Sequence, residues 1–551
     1  MEVKTLGGLI KRSAEQFSDK PALGYVGERP VTYGEVILKI NSIIAFLEKQ
    51  GITSDDKVAI LSSNQPNWGI TYFSLATMGV TIVPILPDFT EQEIANVLNH
   101  AEVKAIFVSE GLYRKILDFQ SDQLKLIVSI ENFAVVPEGT DEKELLRLES
   151  SLVDTDKPAN QYEIEPDRVA SIIYTSGTTG KSKGVMLTHK NLVFSARQSG
   201  IIHPMDTTDS MLSVLPLSHT YENTIGLILP LMYGTAIYYL RKPPVPSVLI
   251  PAMKQVRPTI MLTVPLIMEK VYKGKVLSEI NGKAITRTLY KFTPTRKLLN
   301  KVAGKKLYET FGGRLKFFGI GGAKVDPQVE RFLIEANFPY AIGYGLTETS
   351  PLLAGFDSYK GRYQSTGPTM EGVTLKINDP DPITGEGEIW AKGDNVMKGY
   401  YKEPEITSEV LTPDGWFRTG DLGCFDKHGY LYIKGRLKNM IVGASGENIY
   451  PEEIEAIINR FKYVLESVVV QKKGKLVAMV HFNMEELEAK YTNLKDQASQ
   501  LFEKKIEELS VELQNYVNSQ VNKFSRVQLV IVHPEPFEKT ATKKIKRFLY
   551  Y

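Results

Sequence analysis

A single cysteine, Cys424, in 551 residues excludes an internal disulfide and a cysteine-rich metal site, and it fits a reducing compartment. An excess of either charge is also missing. Lys and Arg number 66 against 64 Asp and Glu, a formal +2, so no bulk field argues for nucleic acid. The histidines, at 100, 189, 203, 219, 428, 481 and 533, show no metal-ligand spacing such as HExxH. A Walker A loop is excluded because position 175, five before the Gly180-Lys181-Ser182 run, is threonine. The N-terminus does not read as a signal peptide: Leu6, Leu9, Ile10, Ala14 and Phe17 recur at helical spacing with charges between them, which predicts an amphipathic helix packed on the body. The uncharged run of eighteen residues from Asn223 to Leu240 is long enough to be weighed as a membrane span. Gly226, Pro230, Gly234 and the β-rich end favour a buried helix followed by a strand.

What is present is organised around Tyr174 to Gly184, Tyr-Thr-Ser-Gly-Thr-Thr-Gly-Lys-Ser-Lys-Gly, flanked by apolar runs at Val169 to Tyr174 and Val185 to Leu187. The loop therefore joins two strands. Backbone amides opened by glycines, hydroxyls from Thr175, Ser176, Thr178, Thr179 and Ser182, and the ammonium groups of Lys181 and Lys183 together suit a polyphosphate. A flexible linker would need neither the lysines nor the tight apolar flanks. Upstream, Val58 to Leu61, Val80 to Ile85, Ala105 to Val108 and Leu126 to Ile130 read as strands, and Tyr33 to Gln50, Trp68 to Met78 and Thr90 to His100 as helices. That alternation predicts βαβ units and a parallel sheet. Val136 to Pro166 interrupts it with surface turns and helices.

Gly343-Tyr344-Gly345-Leu346-Thr347-Glu348-Thr349, Thr419-Gly420-Asp421, Gly435-Arg436-Leu437-Lys438 and the basic run Lys539 to Arg547 follow the loop in order. In this series the chain resembles the adenylate-forming superfamily of acyl-CoA synthetases, luciferases and peptide-synthetase adenylation domains, above all the long-chain fatty-acid acyl-CoA synthetases. The resemblance covers nearly the whole chain. It implies an α/β fold with a large N-terminal domain, 1–435, of parallel-rich sheets and helices, and a small mobile α+β C-terminal domain, 436–551. The expected cofactor is Mg²⁺, and the expected substrates are ATP, a fatty acid and CoA.

The resemblance also distributes roles. Thr175, Ser176, Gly177, Thr178, Thr179, Gly180, Lys181 and Lys183 hold phosphate, as does Thr347. Glu348 is the magnesium ligand, since a carboxylate beside a triphosphate needs a bridging cation. Gly321, Gly322 and Ala323 approach adenine, with Tyr344, Asp421 and Arg436 on the adenine and ribose side; Asp421 is suited to the ribose hydroxyls. His219 and Asn223 belong to the acyl pocket, Lys438 is the hinge, and Ser445, Gly446 and Glu447 lie along the pantetheine arm of CoA. At the hinge, Asn439 stands where the family often has an acid. Lys544 is the catalytic lysine, although Lys543 replaces the glycine frequent before it, so either lysine can be the one that reaches the site. On charge alone the Lys539 to Arg547 run reads as a solubilising tail.

Two further stretches bear on partners. Between Lys270 and Lys306 eleven cations face one acid, Glu279, with Leu, Ile, Tyr and Phe interleaved. This fits a solvated helical face or contact with an anionic membrane, consistent with a cytoplasmic enzyme peripheral at the inner membrane face. From Glu485 to Val521 helical spacing continues too long for one packed helix, and a break is expected near Thr492 or Ser510. The chemistry expected is attack of a carboxylate on the α-phosphorus of ATP, then transfer of the acyl group to a thiol. That thiol is CoA or, alternatively, a carrier protein; a non-catalytic acyl-binding scaffold is the reading from another class.

Overall fold

Along the strand Lys57–Leu61, Val58 and Ile60 enter one core while Ala59 and Leu61 enter another, and all four are buried. A strand covered on both faces belongs inside a layered α/β body. The computed structural model describes residues 3–152, 162–175, 182–442, 448–472, 474–491, 498–540 and 544–551. Lys57–Leu61 lies in a largely parallel eight-stranded sheet with Thr81–Ile85, Ala105–Val108, Leu126–Ser129 and Val169–Thr175. A second eight-stranded sheet carries Pro21–Tyr25, Ala236–Tyr239, Ser210–Leu212, Ile260–Thr263, Phe317–Ile320 and Tyr340–Gly345 in parallel register.

The helices Leu6–Phe17, Tyr33–Lys49, Pro66–Met78 and His189–Ile202 share one core with strands of both sheets. The uncharged stretch behaves as expected. Helix Thr220–Asn223 continues through a π-helical stretch, Thr224–Ile228, into Leu229–Met232, and the strand Ala236–Tyr239 follows. Among the described residues, no helix is long and apolar enough to cross a membrane. The apolar load of this run is instead spent between the sheets.

An antiparallel four-stranded sheet, Val373–Asn378, Gly387–Gly393, Phe417–Phe425 and Leu431–Arg436, leads to the C-terminal part. There Val464–Lys472, Lys475–Phe482 and Leu529–Val532 form a separate sheet, and Ile454, Ile458, Val469, Phe482, Leu509 and Leu513 close a core of their own. The chain is thus an α/β protein with a large N-terminal domain of parallel-rich sheets and a smaller α+β C-terminal one. Helices Met484–Tyr491 and Ala498–Asn518 cover the stretch on either side of 492–497, which lie outside the described residues. The break is not at Ser510, which sits inside the second helix with its hydroxyl donating to the Ile506 carbonyl at 2.9 Å. Thr492 lies outside the described residues.

Candidate active site

The loop at the head of the sequence argument springs from an antiparallel hairpin, Val169–Thr175 and Lys183–Thr188, with Thr175 and Lys183 facing each other at its mouth. Ser176, Gly177, Thr178, Thr179, Gly180 and Lys181 lie outside the described residues, as do Ser445, Gly446 and Glu447. The hairpin's second strand pairs with Gly399–Tyr400, which puts the Lys183 ammonium 5.0 Å from the Tyr400 ring centroid. Tyr400 in turn donates its hydroxyl to Glu348 Oε1 at 2.8 Å, and the Met397 amide donates to the Glu348 carbonyl at 2.9 Å. Glu348 is therefore held at the hairpin's mouth.

Glu348 reaches that position because the strand Tyr340–Gly345 ends abruptly. A Cβ at Gly345 would lie 1.7 Å from the Pro351 carbonyl oxygen, so only glycine permits the close return of chain that places Thr347 and Glu348 on a 3-10 turn. Among the described residues Glu348 Oε2 has no hydrogen-bond partner, while Oε1 is fixed by Tyr400. Such a half-buried carboxylate with one open oxygen fits Mg²⁺, which binds through one or two carboxylates plus substrate phosphates and water.

On the next wall, Asp421 is buried in the strand Phe417–Phe425. Its Oδ1 lies 2.7 Å from Arg436 Nε in an ion pair, and its Oδ2 accepts from the Tyr344 hydroxyl at 2.8 Å. Burial pushes the Asp421 carboxyl above its ordinary range, and the Arg436 guanidinium pulls the other way. The glycine turn Gly321-Gly322-Ala323 follows the strand Phe317–Ile320. Tyr221 packs on it: a Cβ at Gly321 would stand 3.0 Å from Tyr221 Cζ.

His219 precedes the helix Thr220–Asn223 and accepts from the Tyr221 amide through Nδ1 at 3.4 Å, which leaves the ring proton on Nε2. Burial first, then the Lys544 charge, pushes its imidazole down to about 4, so it is neutral at physiological pH. Asn223 is fully buried, and neither polar atom of its side chain has a hydrogen-bond partner among the described residues.

The C-terminal run is no solvated tail. Lys539, Lys546 and Arg547 pair with Glu466, Glu538 and Glu455. The Thr540 amide donates to the Lys544 carbonyl at 2.8 Å and the Lys544 amide to Thr540 Oγ1 at 3.2 Å, which holds the two residues together. Lys544 is exposed, and its ammonium stands within electrostatic reach of Arg436, Asp421 and Glu348. Desolvation and Arg436 lower its basicity, while Asp421 and Glu348 raise it. Lys543 lies outside the described residues. At the hinge position, burial and Arg436 bring Lys438 down to about 8. Asn439, in the place of the acid, donates to Glu452 Oε1 at 2.6 Å.

Lys544, Glu348, Asp421 and Arg436 thus lie within electrostatic reach of one another, the Lys544 charge also acts on His219, and Tyr344 is bonded to Asp421. Sequence reasoning missed Tyr400, which orients Glu348, and Tyr221, which covers the glycine turn. Tyr400 sits in Gly399-Tyr400-Tyr401, where nothing in the sequence says which tyrosine turns inward. Tyr221 lies two residues after His219, and its proximity offered the better signal.

The chain belongs to the AMP-binding enzyme family, whose family model matches residues 10–401. It is 30% identical to long chain acyl-CoA synthetase 7, peroxisomal, of Arabidopsis thaliana, an alignment that covers 84% of this chain and 71% of that protein. To 4-coumarate--CoA ligase 1 of the same plant it is also 30% identical, over 85% of this chain and 81% of that one. The fold is similar to that of ATP-bound MatB from Rhodopseudomonas palustris, with a TM-score of 0.74, 22% identity and coverage of 99% and 98%.

Proposed function

We propose that the chain is an ATP-dependent acyl-CoA synthetase for long-chain fatty acids. The carboxylate attacks the α-phosphorus of ATP, giving acyl-AMP and pyrophosphate. The CoA thiol then attacks the acyl carbon, giving the thioester, AMP and a proton. The observation that carries this reading is the convergence of Lys544, Glu348 and the Asp421–Arg436 pair in one cleft. The first step brings an anion up to a polyanion, and that repulsion is the main obstacle. Mg²⁺, when bound at Glu348, would screen the phosphate charge. Lys544 would bridge the carboxylate and the α-phosphate, Lys183 and the hairpin loop would hold the outer phosphates, and Asp421 would take the ribose hydroxyls. Neutral His219, with its proton on Nε2, can donate to the acid's carboxylate without bringing a net charge. No nucleophilic side chain is required.

A long chain is favoured by the long-chain relative and by the uncharged helical run after His219, although a 4-coumarate ligase is equally similar. The basic segment supports a membrane-derived substrate. Ile285, Phe292, Leu298 and Val302 are 74%, 61%, 64% and 53% exposed among its cations, and the helix Ala284–Leu289 buries no residue. Lys273, Arg296 and Lys306 are committed to Asn459, Glu335 and Glu279. The other cations between Lys270 and Lys306 carry charge complementary to an anionic lipid surface, which fits a cytoplasmic enzyme held peripherally at the inner face of the membrane. One panel of acids from acetate to palmitate, with benzoates and 4-coumarate, tests the reading when scored by pyrophosphate release and by thioester formation with CoA against a carrier protein. Palmitate with CoA should lead. Thioester with the carrier protein alone would move the assignment to the alternative acceptor, and no acid-dependent pyrophosphate exchange would leave only an acyl-binding scaffold.

A further inference from the structure

Among the described residues, two ion pairs join the C-terminal unit to the loop after the glycine turn. Asp326 stands three residues past Ala323 on that loop. Arg460 of the C-terminal unit donates Nε to Asp326 Oδ2 at 2.7 Å, and each side chain is only 16% exposed. The other carboxylate oxygen accepts from the Gln328 and Val329 amides at 2.7 and 3.2 Å, capping the helix Pro327–Glu335. Asp326 is therefore fixed from the N-terminal side, and the ion pair grips the moving unit. Two neighbours add to the grip: Lys273 Nζ donates to the Asn459 carbonyl at 3.0 Å, and Lys324 Nζ stands 3.7 Å from Glu453. The helix Pro451–Ile458 is thereby held near both ends against the loop that would face the adenine.

The same C-terminal unit carries Lys544 to Glu348 and Asp421. On the two-step reading the thiol has to reach the acyl carbon after Lys544 has served there, so the unit would withdraw, and the Arg460–Asp326 pair is a buried charge contact that this motion would break. We propose that Arg460 and Asp326 form a latch for the pose in which Lys544 faces Glu348 and Asp421, and that the latch opens between the two steps; this rests on the two-step reading above. Both are positioning residues, since neither faces the cleft. Their place on the loop of the glycine turn makes the latch responsive to what that turn holds.

The test is Arg460→Gln, with Asp326→Asn beside it because asparagine keeps the helix cap. Acid-dependent pyrophosphate exchange should fall about tenfold, as expected for a modest population shift, with the KM for ATP little changed. Conversion of supplied acyl-adenylate and CoA to thioester should proceed at least as fast as in the unaltered protein. Arg460→Lys should restore most of the exchange, and the double variant should be no slower than either single one. Equal loss in both half-reactions, or no change in either, overturns the latch. The pose is read independently of activity from the distance between spin labels on K360C and K523C in a C424S background, which should broaden with R460Q. An unaltered protein without exchange for any acid would end the functional reading, and the label distances alone would then decide the latch: identical distributions with and without R460Q overturn it.

Discussion

On the proposed reading, removing Lys544 separates the two half-reactions, because its ammonium would be useful only while carboxylate and α-phosphate approach each other. Lys544→Ala should slow acyl-adenylate formation from ATP and palmitate by about 10² to 10³ or more, the cost of losing other charge-stabilising donors. It should leave the conversion of supplied palmitoyl-adenylate and CoA near normal. Lys543→Ala should impair neither step; exchanged phenotypes would mean that Lys543 is the one in the cleft. A second residue-scale expectation concerns Glu222, fully buried with its Oε1 accepting from Ser213 Oγ at 2.6 Å. Burial raises its carboxyl from 4.5 to about 8. Between those values the folded chain keeps a proton that the unfolded chain has released, so this group's contribution to stability is full below about 4.5 and declines as pH rises toward 8. Glu222→Gln removes that dependence while keeping the acceptor for Ser213. It should raise thermal stability increasingly from pH 5 to 8, by up to about 3 kcal/mol near pH 7. A variant that melts below the unaltered protein across this range would show that the ionised form is the one the fold uses.

Among elements, the helices are the best encoded. Thr32 with Glu35 and Thr90 with Glu93 form reciprocal capping boxes, each satisfying two otherwise orphaned amides at the helix start. Helix starts were therefore legible to within a residue or two. The helical pair Ala284–Leu289 and Thr293–Thr310 is different, because it leaves Ile285, Leu298 and Val302 exposed among the described residues. If that face meets anionic lipid, each lysine or arginine near the surface contributes about 1 kcal/mol, and salt screens the attraction. Co-sedimentation with phosphatidylglycerol-containing vesicles should weaken between low and high salt and with Lys297→Glu plus Lys301→Glu. Binding indifferent to both would leave the hairpin as a solvated surface. Arg296 is unsuitable for that experiment, since its pairing with Glu335 at 2.8 Å holds the helix to the body.

At the scale of the whole molecule, two covered sheets enclose a helical layer, and the acyl chain would have to lie in apolar surroundings beside it. Each added methylene should then tighten binding by up to about 0.8 kcal/mol for as long as the added length is buried. Palmitate should be much better than octanoate in kcat/KM. Equal activity with acetate, benzoates and palmitate would contradict a long apolar tunnel. The chain-length dependence and the latch are measured on different steps, so one can fail without the other.

The sequence by itself determined the strands and helices of the N-terminal part, because period-2 and period-3.6 patterns and caps are local physics. It also carried the glycine turns and the motifs whose residues line the cleft. What it left open depended on long-range contacts. The five basic residues between Lys539 and Arg547 look alike as charges; only packing commits Lys539, Lys546 and Arg547 to Glu466, Glu538 and Glu455 and leaves Lys544 beside Asp421 and Glu348. Tyr400 reaches Glu348 only because its strand pairs with the hairpin more than two hundred residues upstream, at Val185. Asp326 and Arg460, 134 residues apart, become a pair only when the two units close on each other. Those assignments belong to tertiary structure, since a charge or a hydroxyl acquires its role from the partner that folding brings to it.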